Sequence, residues 1–169
     1  MEARQVNPST STIALPKLEP VADFSLQVAA PTEVGVTPLG QRRVIPILSG
    51  TVRGPRLNGR ILPGGADFQL IRHGDGSDVT TADIEARYVL ETDDGAHIYI
   101  VNAGVRSGSA AVIARLNRGE QVDPSEVYFR TAPHFETAAP QYRWLMQHLF
   151  VAAGARYPDR VELRYFLVN

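Results

Sequence analysis

A short alternating segment, ADFQLI over residues 66–71, places Asp67 and Gln69 on one face of a predicted strand and Phe68 and Leu70 on the other. The two polar side chains would lie roughly 6.5–7 Å apart on one wall. If that wall lines a closed interior, burial raises the pKa of Asp67 and makes it a general base, while Gln69 holds a carbonyl or phenol oxygen. The alternative is an apolar core formed by Phe68 and Leu70. We expect the polar pair to face inward, with the apolar pair beneath a covering layer.

A cation suited to the same chemistry lies in a second predicted strand, over residues 127–131, where Tyr128 and Arg130 share a face. A guanidinium offers a rigid fork of donors to a carboxylate, phenolate or enolate, and a tyrosine hydroxyl donates a hydrogen bond or a proton. If Arg130 and Asp67 share a cavity, they supply the cation and base for proton abstraction beside a carbonyl, or for carbon–carbon cleavage. The alternative is a structural ion pair between Arg130 and Glu136.

A predicted hairpin adds ligand-binding candidates. Arg87 and Glu91 lie on one face of its first strand, whereas Tyr99 and Asn102 lie on opposite faces of its second strand. Depending on the register, Tyr99 meets the charged face or Asn102 meets Tyr88. An inward-facing network would orient a ligand, with Glu91 as a second candidate base. The alternative is a charged ladder that faces solvent.

An aromatic cluster lies in a short helix predicted over residues 140–147, which contains Tyr142, Trp144 and Met146. In one interpretation Trp144 caps a mouth of a barrel and stacks on the ring of a bound ligand. In the other interpretation the cluster closes the hydrophobic core.

Several chemistries are excluded because the residues they need are absent. The sequence has no cysteine, and its only lysine, Lys17, lies in a proline-flanked segment unsuited to a buried Schiff base. No dinucleotide or Walker fingerprint follows Gly64 and Gly65, so we expect no cofactor. We also expect no metal, because no two histidines have ligand spacing at positions 73, 97, 134 and 148.

Composition indicates one globular domain. The chain has 169 residues, of which 44% are hydrophobic, and a net charge of -1. This charge argues against broad attraction to nucleic acid or an anionic membrane, and no apolar stretch approaches the roughly 20 residues that span a bilayer. The first residues lack a basic segment followed by an apolar one, so a cytoplasmic location is predicted.

The elements that must position these side chains are mainly short strands. Residues 1–12 are polar and aperiodic and predict a flexible tail, which leaves residues 13–169 as the folded domain. Asp94 and Gly95 predict a tight hairpin, and one helix is predicted between a Ser109 cap and Gly119. The predicted strands are Ala22–Ala29, Arg43–Arg53, Ala66–Ile71, Ile84–Thr92, His97–Asn102, Val127–Thr131, His148–Ala155 and Val161–Val168.

Sequential strands joined mostly by short turns favour an antiparallel sheet that closes into a barrel, because closure removes exposed edges. A barrel of about eight strands can hold a small ligand inside. A two-sheet sandwich is the alternative. If apolar residues such as Ile98 and Ile100 lie on the outer face, a second copy would cover them, and we expect a homodimer.

Four longer segments carry a family resemblance: VGVTPLGQRRVIPI (34–47), GPRLNGRILPGGADFQLIR (54–72), EARYVLETDDGAHIYIVNAG (85–104) and DPSEVYFRTAPHFET (123–137). In this order and spacing they resemble the family called domain of unknown function 3237, small bacterial and fungal proteins. The resemblance runs from about Leu15 to the C-terminus. It implies a lipocalin-like or calycin-like antiparallel barrel, a small-molecule ligand and, as for some members, a part in the catabolism of aromatic compounds. The family offers no agreed catalytic motif.

Two main hypotheses for function follow. The first is a cofactor-independent lyase or isomerase in which Asp67 or Glu91 removes a proton from a small aromatic or conjugated molecule. In that mechanism Arg130, Gln69 and a tyrosine stabilise the developing oxyanion. The second is a non-catalytic barrel that binds a small hydrophobic ligand. A structural module with a filled barrel is a third possibility.

Overall fold

Ten strands, one α-helix and two 3₁₀ helices make up the computed structural model, which describes residues 13–169. The tail predicted over residues 1–12 lies outside the described residues. The strands are β1 (Leu18–Val28), β2 (Thr32–Thr37), β3 (Gly40–Arg53), β4 (Gly59–Ile61), β5 (Gly65–Arg72), β6 (Val79–Thr92), β7 (His97–Ser109), β8 (Tyr128–Glu136), β9 (Leu149–Arg156) and β10 (Arg160–Val168). The helices are α1 (Ala110–Asn117) and the 3₁₀ segments Pro124–Glu126 and Pro140–Met146. None of the helices formed by residues 13–169 could span a lipid bilayer.

The strands close into an antiparallel barrel. Neighbours follow the order β1, β10, β9, β8, β7, β6, β4 and β3, and pairing of β1 with β3 completes the ring. The strands β4 and β5 occupy one position between β3 and β6 at different heights, whereas β2 extends from β3. The closed barrel predicted from the sequence is confirmed, and the two-sheet sandwich is not formed.

Every predicted strand occurs with shifted ends, and β2 and β4 are additional. The segment of β2 carries loop signals, but it pairs with β3 through a register shift at Gly35, where φ is 109°. The strand β4 has only three residues, too few to show a period. The strand β7 continues beyond Asn102 because its pairing with β6 and β8 runs on through Gly104.

The predicted boundaries of α1 are confirmed by both caps. Ser109 Oγ accepts a hydrogen bond from Val112 N at 3.3 Å, and Gly119 adopts φ of 78° beyond the last turn. Ile113 and Leu116 are the buried residues of the helix. The helix therefore packs on β6 and β7 at the end of the barrel where β7 finishes.

Aromatic side chains fill the part of the interior away from α1. Tyr165 stacks on Phe24 with ring centroids 4.1 Å apart and meets Phe135 edge-on at 6.1 Å. The hydroxyl groups of Tyr165 and Tyr88 lie 2.6 Å apart, and both side chains are fully enclosed. This half of the barrel is solid core.

Ile98 and Ile100 also point into the core and are 0% exposed. The expectation that they lie on the outer face under a second copy is wrong, because the even-numbered residues of this part of β7 face inward. Exposed apolar side chains occur elsewhere, including Val34 and Val36 of β2. The homodimer stays a prediction that no longer rests on these isoleucines.

Candidate active site

An inner cavity occupies the interior at the end of the barrel near α1. Its volume is about 30 Å³, which is room for about two water molecules. In the register of β5, β6 and β7, Ala86 lies between Asp67 and Asn102. Because alanine is small, no bulky side chain separates the Asp67 carboxyl group from the Asn102 amide. Aliphatic side chains form most of the wall. The polar lining residues are Asp67, Gln69, Asn102, Arg106 and Arg156.

Asp67 is mostly buried and is held by two hydrogen bonds. Gln69 Nε2 donates to Oδ2 at 2.6 Å, and the backbone N–H of Glu85 donates to Oδ1 at 3.1 Å. Burial raises the pKa of Asp67, although these bonds and the nearby charges of Arg106 and Arg43 oppose the shift. A carboxyl group with a raised pKa beside a cavity is suited to general-base catalysis.

Gln69 connects this acid to two guanidinium groups. Its side chain is 2% exposed, and Oε1 accepts hydrogen bonds from Arg43 Nε at 3.1 Å and from Arg106 Nη2 at 3.5 Å. The contact with Arg43 follows from the register, which sets Arg43 of β3 opposite Gln69 of β5. Arg43 also donates from Nη2 to Asn117 Oδ1 at 3.0 Å. One amide therefore orients the base and both cations.

Arg106 is a buried cation, and its site contains two buried polar atoms without a hydrogen-bond partner among residues 13–169. It is 3% exposed, and burial together with the nearby charge of Arg43 lowers its pKa to about 10, so it stays protonated at neutral pH. Within residues 13–169, Arg106 Nε and Asn102 Oδ1 have no hydrogen-bond partner. Buried polar atoms are normally paired, so these two atoms mark the place of a ligand or an ordered water.

A wider vestibule opens outside the inner cavity, beside the C-terminal end of α1. Its volume is about 420 Å³. Arg106 and Arg156 line both spaces, and Arg43 lines the vestibule. Burial lowers the pKa of Arg156, and the charge of Arg43 adds to that effect. The vestibule has room for a small ring, whereas the inner cavity has room only for a small polar group.

Three of the predicted site residues point into the cavity, namely Asp67, Gln69 and Asn102. This is the inward orientation expected for the polar pair of β5. The covering layer expected over Phe68 and Leu70 is not formed within residues 13–169, where Phe68 is 41% exposed. The polar pair therefore faces inward even though Phe68 faces solvent.

Arg87, Glu91 and Tyr99 lie on the outer face, which corrects their expected placement around a ligand. Glu91 pairs with Arg60 at 2.7 Å and with His97 at 3.1 Å. The inward positions of β6 and of this part of β7 belong to the even-numbered residues, so the odd-numbered ones point away from the cavity. The solvent-facing charged ladder is the observed arrangement.

Arg130 and Tyr128 also lie on the outer face. Arg130 donates to Phe129 O at 2.8 Å, and its guanidinium lies 5.3 Å from the ring of Tyr128. Phe129, between them in sequence, points inward and lines the cavity. The expected pairing of Asp67 with Arg130 in one cavity is therefore wrong. Arg106 supplies the cation that Arg130 was expected to supply.

Trp144 lies at the opposite end of the barrel from the cavity. Its 3₁₀ helix is tied to the β6–β7 hairpin by a bond of 3.1 Å from Tyr142 OH to Asp94 Oδ1. The Trp144 ring lies 4.0 Å from the Arg56 guanidinium and 5.8 Å from the ring of Phe150. Trp144 thus closes the core, as in the second interpretation of the aromatic cluster, and does not reach the candidate site.

Arg43, Arg106 and Arg156 are the site residues that the sequence analysis missed. Arg43 is the first residue of the predicted strand Arg43–Arg53, and Arg156 directly follows the predicted strand His148–Ala155. Nothing in the local pattern distinguishes either residue from a surface arginine. Arg106 lies beyond the predicted end of its strand, after Gly104. The alternation of β7 is the pattern that could have identified Arg106. The even-numbered residues of this strand point inward, and they include Ile98, Ile100, Asn102 and Arg106.

The closed barrel and its internal network of acid, amide and guanidinium groups define a small β-barrel protein with a polar interior site. The chain belongs to the family described as "Protein of unknown function (DUF3237)", which matches residues 16–168. The family resemblance noted in the sequence is therefore confirmed.

Curated relatives of the chain carry only family names. A UPF0311 protein of Rhodopseudomonas palustris is 47% identical over 150 residues, covering 88% of this chain and 95% of that protein. A UPF0311 protein of Clostridium acetobutylicum is 41% identical over 152 residues, covering 89% of this chain and 93% of that protein.

Solved structures share the fold. A conserved protein of unknown function from Rhodopseudomonas palustris has a TM-score of 0.86 at 43% identity, covering 93% of this chain and 100% of that one. A beta-barrel like protein from Acinetobacter baumannii has a TM-score of 0.79 at 40% identity, covering 98% and 100%. An enzyme from Penicillium herquei has a TM-score of 0.66 at 19% identity, covering 95% and 100%, which shows a common fold alone.

Proposed function

We propose that this protein is a cofactor-independent lyase or isomerase that acts on a small aromatic or otherwise conjugated molecule. The observation that carries the proposal is the network in which Gln69 joins Asp67 to Arg43 and Arg106 beside a cavity. A base and a cation that meet at one cavity are what proton abstraction beside a carbonyl requires.

The proposed step begins with Asp67 as general base. Asp67 takes a proton from a carbon next to a carbonyl, and the electron pair of that C–H bond moves to the oxygen to form an enolate. Arg106, whose Nε has no hydrogen-bond partner in the described part of the chain, donates to that oxygen. Return of the proton to another carbon gives an isomer, whereas loss of a leaving group gives a lyase product. General-base catalysis contributes about 10²–10⁴ to such a rate.

The sizes of the two spaces fix how a substrate would bind. An inner cavity of about 30 Å³ admits the reacting oxygen and the carbon beside it but not a ring. The vestibule of about 420 Å³ would hold the rest of the molecule. In this arrangement the reacting group lies among Asp67, Asn102 and Arg106, and the ring remains in the vestibule.

The test is turnover in D₂O across a panel of enolisable and phenolic aromatic compounds, followed by NMR. We expect the full chain to change at least one compound or to exchange its carbon-bound protons. Asp67→Asn should lower that rate at least 100-fold, since it removes the base. Asp93→Asn is the matched control, because Asp93 is exposed at the far end of the barrel. Full activity of the Asp67→Asn variant would end the proposal.

A non-catalytic binding barrel is the second candidate, and the mainly aliphatic wall of the inner cavity favours it. It predicts that compounds bind and are recovered unchanged over the whole panel. We also propose a part in aromatic catabolism, which the family resemblance implies, together with the cytoplasmic location and the homodimer predicted from the sequence. Light scattering of the purified chain tests the last of these.

A further inference from the structure

The site contains more positive charge than the nearby carboxylates balance. Arg106 has no ion pair within residues 13–169, and its described hydrogen bond is the one of 3.5 Å to Gln69. Arg156 is half-buried and its described bonds go to backbone carbonyl oxygens, at 2.7 Å to Tyr157 and at 3.4 Å to Arg160. Neither guanidinium group therefore forms an ion pair with a carboxylate of residues 13–169.

The neighbouring charges do not supply the missing partner. Arg43 is paired with Glu33 at 3.8 Å, and Glu33 is half-exposed. Three guanidinium groups, Arg43, Arg106 and Arg156, thus face two carboxylates, Asp67 and Glu33, which leaves one positive charge in excess.

The other charged groups at the vestibule are already paired with one another or with neighbours. Asp159 pairs with Arg160 at 3.3 Å, and Arg118 pairs with Glu120 at 2.7 Å. Arg160 also pairs with Glu162, and Glu120 also pairs with Arg115, so these six groups together carry no net charge. Asp159 acts on Arg156 through its charge but forms no ion pair with it within residues 13–169, so the excess positive charge remains on the cavity side. A buried charge without a partner is unfavourable, so the site favours an anion.

The geometry points to a small conjugated carboxylic acid as the ligand, with its carboxylate held between Arg106 and Arg156. This inference rests on the proposed function and names the substrate class of the same site. A guanidinium binds a carboxylate through parallel N–H donors, and Arg106 Nε donates to no group among residues 13–169. Space for about two waters accommodates the two oxygens of a planar carboxylate but not the four of phosphate.

Binding of acids and their neutral amides to the full chain tests the inference. The probes are benzoate and 3-hydroxybenzoate, each compared with its amide, and inorganic phosphate, measured by calorimetry and thermal shift. We expect at least one acid to bind at least tenfold more tightly than its amide and than phosphate. Binding of the amides or of phosphate as tightly as the acids would overturn the inference, as would the absence of binding by both acids.

Charge-removing variants locate the site. Arg106→Met should weaken binding of the acid at least tenfold, and Arg156→Met, which changes a half-exposed side chain, provides the same test if the first variant fails to fold. Arg143→Met is the matched control, because Arg143 is exposed in the 3₁₀ helix at the far end. Unchanged binding of the acid in folded Arg106→Met or Arg156→Met would overturn the inference.

Failure of this inference can be distinguished from failure of the proposed function. An acid that binds through Arg106 but is recovered unchanged, while no compound is turned over, supports the anion site and contradicts the enzyme. Turnover of a neutral compound that depends on Asp67, without binding of any acid, supports the enzyme and overturns the anion site.

Discussion

Gln69 donates a hydrogen bond of 2.6 Å from Nε2 to Asp67 Oδ2, two positions away on the same strand. Arg43 fixes the orientation of this amide, because Arg43 Nε donates a hydrogen bond to Gln69 Oε1. If the Gln69 amide were flipped, its oxygen would face the carboxylate of Asp67 and its NH₂ group would face the guanidinium of Arg43. Neither contact could form a hydrogen bond. Gln69 is therefore a positioning residue that holds the proposed base and shares its network with the cations.

Replacing Gln69 by Leu should raise the pKa of Asp67 further. The bond from Gln69 lowers that pKa in the folded protein, so its loss leaves the burial effect less opposed. We also expect a loss of about 1–3 kcal/mol in the free energy of unfolding, since buried polar groups lose their partner. Carboxyl ¹³C NMR titration measures the first effect and urea denaturation the second. Gln41→Leu, which removes a half-exposed amide bonded to Glu33, should change neither quantity appreciably.

Asp67→Asn should change the pH dependence of stability. Because burial raises the pKa of Asp67, the folded state binds more protons than the unfolded state between the unfolded value of about 3.9 and the folded value. The wild type therefore loses stability from this group as the pH rises through that interval. The variant has no such loss, so its stability relative to the wild type should increase with pH and then level off. Urea denaturation over the acidic to neutral range measures this, and a relative decrease would contradict the raised pKa.

The alternation of polar and apolar residues was sufficient to predict much of the barrel and part of the site. Period-two patterns and turn residues indicate strands locally, and closure follows from the need to remove sheet edges. For Asp67 and Gln69 the alternation allowed either an inward or an outward orientation, and the predicted inward orientation is the observed one. For Glu91 and Arg130 the predicted inward orientation is wrong. Their hydrophobic neighbours in sequence point into the interior instead, so these two side chains point outward.

The cations of the site could not be predicted because their placement depends on pairing between distant strands. Arg43 meets Gln69 only through the register of β3 with β5, which are 26 residues apart at this contact. Arg106 meets the cavity only because β7 continues through Gly104, and a glycine in a strand usually signals an interruption. Tertiary pairing overrides that local signal.

Gly104→Ala should destabilise the barrel, because Gly104 allows β7 and β8 to approach closely. A Cβ atom there would overlap the carbonyl oxygen of Arg130 and lie 2.6 Å from Thr131 Cα. Backbone atoms cannot move aside as a side chain can, so we expect a loss of about 1–3 kcal/mol. Chemical denaturation measures this loss. Gly74→Ala is the matched control, since its Cβ would meet no atom within 4 Å, and equal destabilisation of the two variants would contradict the close-packing argument.

The hydroxyl groups of Tyr88 and Tyr165 satisfy each other at 2.6 Å inside the solid half of the barrel. Removing one hydroxyl leaves the other without this partner, so Tyr88→Phe or Tyr165→Phe alone should each cost about 1–3 kcal/mol in the free energy of unfolding. Tyr128→Phe, at an exposed position, should have little effect. Urea denaturation of the three single variants measures these differences.

The variant that carries both Tyr88→Phe and Tyr165→Phe should be more stable than either single variant. Two phenyl rings of nearly the same shape replace the pair, and no hydroxyl then remains buried without a partner. The double-mutant cycle should therefore give a coupling energy of about 0.5–3 kcal/mol between the two residues. If the double variant loses the sum of the two single losses, the hydroxyl pair is not the source of the effect, and the cost lies in the packing of the rings against Phe24 and Phe135.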